Sequence, residues 1–288
     1  MAIREATFEF LQWQTAYEQQ KPYEIFLPMS TFTQNNAVPR SNLVFEPRRV
    51  PVQDVSSQRN AFDLDTHGFQ IVNSPTTVDD LKDRTAVSNC YIPEMERFLQ
   101  HHLGYGEKVR TYCFDLRLRE SIDLGEFSKK TKNLEDGFDP LLPATHPHVD
   151  QSIPGAISRV RRHMGDEADS LLKGRVRIIN IWRPLETVNA WPLAFCDGRT
   201  VQQADLVACD IVRRRYVGET YFGMYNPSQR WYYSSGLGCD DLILLKIYDS
   251  DPEVHAKNCL HASFPLGDTG TQGLRESIEL RMLVFTES

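Results

Sequence analysis

Polar and apolar positions alternate with a period of two over much of the chain. From Thr111 to Leu118 the residues Tyr112, Phe114, Leu116 and Leu118 share one parity and Thr111, Cys113, Asp115 and Arg117 the other, the signature of a half-buried strand. Beyond Gly174 short runs of strand-forming residues recur between turn signals: 176–182, 193–196, 217–225, 231–234, 242–248, 258–264 and 278–285 all read as strands. Asn226-Pro227-Ser228-Gln229 reads as a hairpin turn between two aromatic strands.

Helical spacing is confined to three stretches. Thr76-Thr77-Val78-Asp79-Asp80-Leu81 offers an N-cap followed by early acids. Tyr91 to Leu99 has Pro93 in a first turn and predicts a second helix ending before Gly104. Ser152 to Leu172 carries apolar residues at helical intervals, with a break near Gly165. Residues 1–64 mix aromatics, prolines and the polar stretch Thr31 to Ser41, and read as a loosely structured arm, with room for a short strand or helix at its start, that packs on the core or on a neighbouring subunit. The charged segment Ser121 to Pro143, with Lys129-Lys130-Thr131-Lys132, reads as an exposed loop or lid. Many short strands with few helices predict a mainly β domain over 65–288, an antiparallel barrel or double-sheet jelly roll flanked by helices, whose mouth can hold a small ligand.

Composition removes several function classes. With 288 residues, 41% of them hydrophobic, the chain can bury a large core. No apolar run approaches the roughly 20 residues that span a bilayer. The net charge is −7, and apart from Arg159-Val160-Arg161-Arg162 and Arg213-Arg214-Arg215 the basic residues are scattered, which argues against a nucleic-acid partner. Both arginine groups read as solvated surface. Met1 to Ala6 has charges of both signs and no apolar signal core, so the expected location is the cytoplasm. The six cysteines lack a Cys-x-x-Cys pair and read as reduced, mostly buried thiols.

The candidate chemistry sits in Thr145-His146-Pro147-His148-Val149-Asp150. His148 and Asp150 stand at a spacing that puts an imidazole and a carboxylate on one strand end. A distant imidazole, His261, completes a two-His-one-carboxylate facial triad that leaves half of an Fe(II) open. His255 is the rival third ligand, but it follows the turn Ser250 to Val254, whereas His261 precedes a strand. His146 is expected outside the ligand set, on the substrate side. An iron held this way can bind a 2-oxo acid, whose far carboxylate needs a fixed fork of donors. Arg275 with the Ser277 hydroxyl suits that role, and Arg281, on the same parity, competes for it. Trp182, Arg183 and Trp231 are candidates to line the substrate pocket, while Lys246 is expected at the sheet surface.

These stretches, taken together, resemble the fungal and bacterial family of Fe(II)/2-oxoglutarate-dependent hydroxylases and desaturases that includes gibberellin desaturase and the cephamycin 7α-hydroxylase component. The resemblance rests on Asp65-Thr66-His67-Gly68-Phe69-Gln70, His146 to Asp150, Asn180-Ile181-Trp182-Arg183-Pro184-Leu185, Pro192 to Asp197, Arg230 to Tyr233, Lys246 to Ser250, and His261-Ala262-Ser263-Phe264 followed by Arg275 to Arg281. It implies a double-stranded β-helix with Fe(II), 2-oxoglutarate and O₂ as cofactor and co-substrates, and His148, Asp150 and His261 as ligands. It also implies oxidation of an unactivated C–H bond of a small natural product, by hydroxylation or desaturation, with release of succinate and CO₂. An iron oxygenase that uses no 2-oxo acid, with Arg275 binding a substrate carboxylate, and a catalytically silent jelly-roll binding protein are the alternatives.

Overall fold

The structure is a computed structural model that describes residues 2–27, 39–104, 108–121, 133, 135–266 and 275–286. Lys129 to Lys132 of the expected lid, and most of the Thr31 to Ser41 stretch, lie outside them. The described strands are β1 (Ile3–Leu11), β2 (Tyr23–Ile25), β3 (Phe45–Asp54), β4 (Phe69–Asn73), β5 (Val109–Glu120), β6 (His148–Val149) and β7 (Arg175–Pro184) in the first part of the chain. Then come β8 (Leu193–Cys196), β9 (Leu206–Arg213), β10 (Tyr216–Gly223), β11 (Trp231–Tyr233), β12 (Asp241–Asp249), β13 (His261–Ser263) and β14 (Glu276–Thr286). The two longer helices are α1 (Ile92–His102) and α2 (Ile153–Met164).

The strands form two sheets. The larger runs β1-β3-β11-β8-β13-β6-β10-β9-β2 and the smaller β4-β12-β7-β14-β5, both almost entirely antiparallel. Facing sides meet in one apolar core: Phe8, Phe10, Phe195, Trp231 and Phe264 from the larger sheet against Phe69, Ile178, Ile243, Leu245 and Leu283 from the smaller. This is the double-sheet jelly roll expected from the short alternating runs. The outer side of the smaller sheet is covered in turn by Tyr91, Met95 and Leu99, which pack on Ile179, Ile181, Leu242, Ile278, Leu280 and Met282. β7 and β14 are therefore buried on both faces, which accounts for their nearly continuous apolar runs.

Four expectations change. The first sixty residues are not a loose arm: β1 pairs with β3 over nine positions, from Ile3↔Gln53 to Leu11↔Phe45, and β3 continues parallel to β11. Ala6, Phe8 and Phe10 alternate with polar residues and face the core. Pro47 and Pro51 obscured the partner strand, yet they sit where β3 has β1 alone as neighbour, a setting in which strands tolerate proline. The helix expected from Thr76 begins only at Arg84, because Asp83 is the residue whose carboxylate accepts from a first-turn amide, that of Ala86; the Thr76 hydroxyl is spent on Glu94. In β5 a bulge opposite Arg281–Met282 leaves Phe114 out of register, so the face changes within the strand. Tyr112 points to solvent while Val109, Leu116 and Leu118 join the core under α1. Finally, residues 226–229 do form a turn, with Asn226 accepting from the amides of Ser228 and Gln229, but the strands it joins are not paired: β10 lies between β6 and β9, and β11 between β3 and β8. β9, which pairs with β10 along its length, was not expected.

Three side chains expected elsewhere are structural. Arg183 is fully buried on the α1 side of β7, opposite to Trp182, where it donates to Tyr91 Oη at 2.8 Å, Cys239 O at 2.5 Å and Ser74 O at 2.8 Å. Trp231 lies in the core between Phe8 and Phe10, with ring centroids 4.8 and 6.1 Å away. Neither lines the substrate-sized cavity described below. Lys246 is buried, not on the sheet surface, and is paired with Asp65 at 2.6 Å and Asp249 at 2.7 Å. Of the cysteines, 196, 209 and 259 are buried, Cys90 and Cys239 are exposed, and none of the six is in a disulfide. No helix of the described residues is long and apolar enough to cross a membrane.

The Arg183 clamp generates a prediction. Arg183→Met orphans buried acceptors and removes the tie between α1 and the sheet, so stability should fall by about 3 kcal/mol. Urea unfolding reads the loss, and Fe(II) affinity of the folded protein should not change, because the residue is on the far face of the sheet.

Candidate metal centre and active site

β6 places His148 between two strands, opposite Phe222 of β10 on one side and opposite His261 of β13 on the other. The two histidines are thus register partners although 113 positions separate them in the sequence. Their ring centroids are 4.4 Å apart. Asp150, just past the end of β6, brings its carboxylate to both rings: Oδ1 is 3.9 Å from His148 Nε2 and Oδ2 is 3.9 Å from His261 Nε2. The potential ligand atoms of the three residues all lie within 4.8 Å of one another.

Each ligand is oriented by a second partner. His148 Nδ1 is 2.8 Å from the carbonyl of His146 and His261 Nδ1 is 3.0 Å from that of Cys259. Donation to those carbonyls requires the proton on Nδ1, which leaves the Nε2 lone pairs facing Asp150. The carboxylate is held from the opposite sheet. Asn180 of β7 donates through Nδ2 to Oδ2 at 2.5 Å, and Arg281 of β14 reaches Oδ1 through Nη2 at 2.5 Å. Asn180 and Arg281 are themselves register partners, so neighbouring strands present the amide and the guanidinium side by side. Burial alone would raise the Asp150 carboxyl, but the Arg281 guanidinium, followed by the two imidazoles and the Asn180 amide, holds it below the usual carboxylate range. His148 moves the other way: burial, and then the neighbouring His261, depress it to about 3, so it is neutral and able to ligate throughout the physiological range.

The residues fit Fe(II). Two imidazoles and an ionised carboxylate on one side of a buried site form the donor set of a facial triad, with the remaining positions open to small ligands. A second feature fits a 2-oxo acid. Arg275 is 2% exposed, lies 5.7 Å from the ring centroid of Trp182, and donates through Nη1 to Ser277 Oγ at 3.1 Å, while its Nε and Nη2 are buried without a hydrogen-bond partner among the described residues. Burial, and then the neighbouring Arg119, push Arg275 down to about 9, and the attraction of Glu279 offsets only part of that. The two arginine candidates are thereby distinguished. Arg281 is already paired with Asp150, with Asp115 at 3.0 Å and with Glu279 at 3.0 Å. The void joining the histidines, Trp182, Ser263 and Arg275 measures about 10 Å³, the volume of one water-sized probe, so an oxo acid reaching Arg275 has to displace side chains that line it.

A larger cavity of about 470 Å³ opens beside His148 and Asp150. His146 lines it, its ring 3.9 Å from that of Phe45. Asn180, Arg119 and Glu279 were not foreseen. A signal existed for Asn180, a lone amide in Ile178-Ile179-Asn180-Ile181-Trp182, because an amide in a strand buried on both faces has to be bonded to something.

The fold and this arrangement define a non-haem iron oxygenase. Comparison with known proteins agrees. The profile of the oxidoreductase/YMDC permease-like domain family matches residues 8–285. The hydroxylase/desaturase efuI of Hormonema carpetanum is 32% identical over 266 residues, 88% of each chain. The Fe(II)/2-oxoglutarate-dependent dioxygenase nvfI of Aspergillus novofumigatus is 30% identical over 259 residues, 85% of this chain and 86% of that one. Among solved structures, the iron and alpha-ketoglutarate-dependent endoperoxidase NvfI superposes with a TM-score of 0.83 at 26% identity, covering 99% of both chains. The chain belongs to this family of Fe(II)/2-oxoglutarate-dependent hydroxylases and desaturases of fungal secondary metabolism.

Two outcomes follow from the geometry. Arg281→Met removes the main charge holding Asp150, and anaerobic Fe(II) titration should show a loss of affinity of roughly 10- to 100-fold. The metal-free protein should lose stability as pH falls below about 6.5, because the unfolded chain takes up a proton that the folded His148 refuses, a slope of about 1.4 kcal/mol per pH unit for each such histidine. His102, His146 and His163 are depressed by burial as well, so the contribution of His148 is read as the decrease in slope in His148→Gln, measured by urea unfolding between about pH 7 and pH 5.

Proposed function

We propose that His148, Asp150 and His261 hold the iron, that Arg275 with Ser277 receives the far carboxylate of 2-oxoglutarate, and that the cavity beside His146 receives the substrate. The protein is an Fe(II)/2-oxoglutarate-dependent oxygenase acting on a small molecule, as its relatives are. The observation that carries the residue assignment is the buried guanidinium of Arg275, with two N–H groups unbonded among the described residues, on the same side of the triad as Trp182. A buried donor fork of that kind is costly unless a ligand completes it. Its planar geometry matches a carboxylate better than any other common metabolite group of that size.

With Fe(II), 2-oxoglutarate and O₂ bound, the chemistry supplied is oxidative decarboxylation to succinate and CO₂ coupled to removal of a hydrogen from the substrate. What the chain contributes is orientation and exclusion. The Nδ1–H groups of His148 and His261, tied to backbone carbonyls, fix the ring planes. Arg281 and Asn180 keep the Asp150 carboxylate ionised and in place. Arg275, Ser277 and the Trp182 face fix one end of the oxo acid in a site closed to bulk water. His146 and Phe222 border the cavity on the side of the metal ligands, where a substrate C–H has to be presented. Hydroxylation and desaturation both begin with that presentation; the position of the second substrate hydrogen relative to the site decides between them. We place the activity in the cytoplasm and assign it to a single folded unit that includes β1 and β3.

The test is succinate formation. Wild-type protein should release succinate in an Fe(II)- and 2-oxoglutarate-dependent way, and His148→Ala should release none. Arg275→Met should raise the KM for 2-oxoglutarate on the order of a hundredfold, the loss expected on truncating one member of a buried charge pair. Succinate release that persists in His148→Ala would sink the assignment of the iron site; an unchanged KM in Arg275→Met would move the oxo acid elsewhere.

A further inference from the structure

The two arginine groups that read as ordinary surface in the sequence come together in the fold. α2 carries Arg159 and Arg162 one turn apart, the β9–β10 turn carries Arg215, and all three line the mouth of the 470 Å³ cavity beside the metal ligands. Arg159 and Arg162 lie over the same ring, with guanidinium carbons 4.4 and 4.6 Å from the centroid of Tyr216. Arg161, between them in sequence, is turned outward to Asp169 at 3.8 Å. Two like charges against one aromatic ring repel each other, and the ring alone offsets only part of that.

The acids of the same cavity supply only part of the balance: Asp115 attracts Arg159, with no ion pair between the two among the described residues. Asp115 is taken by Arg281 and Arg117, and Asp150 by Arg281 and the histidines. Glu219 is bonded by Lys21 and by the Ser152 hydroxyl. Glu24 lies against Arg213, whose electrostatic pull partly offsets the rise that burial imposes on it. Glu135 is exposed and makes no ion pair with Arg159, Arg162 or Arg215 among the described residues. Arg213 is itself pushed down to about 10 by burial and then by Arg117, a further mark of positive charge crowded at this mouth. Apolar side chains share the lining: Phe26, Phe114, Ile211 and Phe222 form a phenylalanine-rich wall, with Arg159 5.4 Å from the Phe114 ring and Arg213 5.0 Å from the Phe26 ring.

We infer that the substrate is an apolar organic acid, whose anionic group docks on Arg159 and Arg162 at the mouth while its apolar body lies along the phenylalanine wall toward His148 and Asp150. This rests on the oxygenase reading above and specifies its substrate class. Arg159 and Arg162 act here as specificity-determining residues. They hold the end of the substrate that does not react, and so set which carbon reaches the metal site.

The test uses the full chain loaded anaerobically with Fe(II) and 2-oxoglutarate, and two fluorescent probes that differ by one charge: 8-anilinonaphthalene-1-sulfonate and the uncharged N-phenyl-1-naphthylamine. Competition between the probes establishes that they share the cavity. The sulfonate should bind more tightly than the neutral probe, and the double variant Arg159→Gln/Arg162→Gln should weaken the sulfonate about tenfold, a change of roughly 1.4 kcal/mol, with the neutral probe unaffected. Arg159→Lys/Arg162→Lys, which keeps both charges, should recover most of the difference and shows that the glutamine effect is not misfolding. Equal weakening of both probes, or a sulfonate affinity unchanged in the glutamine variant, overturns the inference. Succinate release by wild type, compared with His148→Ala, reads the oxygenase assignment separately: its failure counts against that reading, and the probe comparison still decides whether the mouth selects anions.

Discussion

The site depends on one carboxylate being held between two sheets. Asp150 leaves the larger sheet at the end of β6, and its oxygens meet Asn180 and Arg281 of the smaller sheet before they meet any metal. A buried carboxylate without such partners takes up a proton and stops being a ligand. Here the charge of Arg281, together with the two imidazoles and the Asn180 amide, outweighs the cost of burial, and the residue enters the metal site already ionised. The rest of the arrangement is subordinate to this contact. The β6–β13 register sets the two histidines side by side on one sheet, the β7–β14 register sets the amide and the guanidinium side by side on the other, and the separation of the sheets determines whether the carboxylate can reach both.

The alternation of faces along β7 and β14 is what lets one sheet serve both stability and chemistry. On β14, Ser277, Glu279 and Arg281 face the site, with Leu283 and Phe285 continuing into the inter-sheet core; Ile278, Leu280, Met282 and Val284 face α1. On β7, Asn180 and Trp182 face inward while Ile179, Ile181 and Arg183 face α1. A slip of one residue in either strand would exchange Arg281 for an apolar neighbour and leave Asp150 unheld. Arg183 locks the α1 side with three hydrogen bonds and so opposes such a slip, which gives the arginine a purpose although it is far from the cavity.

Much of this could be read in the sequence, and the exceptions share a cause. The candidate iron-holding residues His148, Asp150 and His261 were legible because chemistry limits which residue types can hold Fe(II), and because the strand pattern around them fits a jelly roll. The pairing of Arg275 with Ser277 followed from strand parity alone. What was not legible depended on partners distant in sequence. The choice between Arg275 and Arg281 turns on counter-ions contributed by Asp115 and Asp150, whose positions no local pattern specifies. Trp182 and Arg183 looked alike as substrate-pocket residues, yet neither lines the 470 Å³ cavity: Trp182 faces the small void beside Arg275, and Arg183 faces α1, a difference set by which face of β7 looks inward. The pairing of β1 with β3 was hidden because the Ala6, Phe8 and Phe10 alternation was set beside prolines that belong to the partner strand. The arginine groups around 160 and 214 appeared as surface because nothing in either one indicates that α2 and the β9–β10 turn meet over Tyr216.

The most direct test of the central claim, that Asp150 with His148 and His261 forms an iron site completed by an oxo acid, is an anaerobic optical titration of the Fe(II)-loaded protein with 2-oxoglutarate. A weak visible charge-transfer band that saturates at one oxo acid per chain is the predicted result. An iron-loaded protein that develops no such band at saturating 2-oxoglutarate would contradict the account.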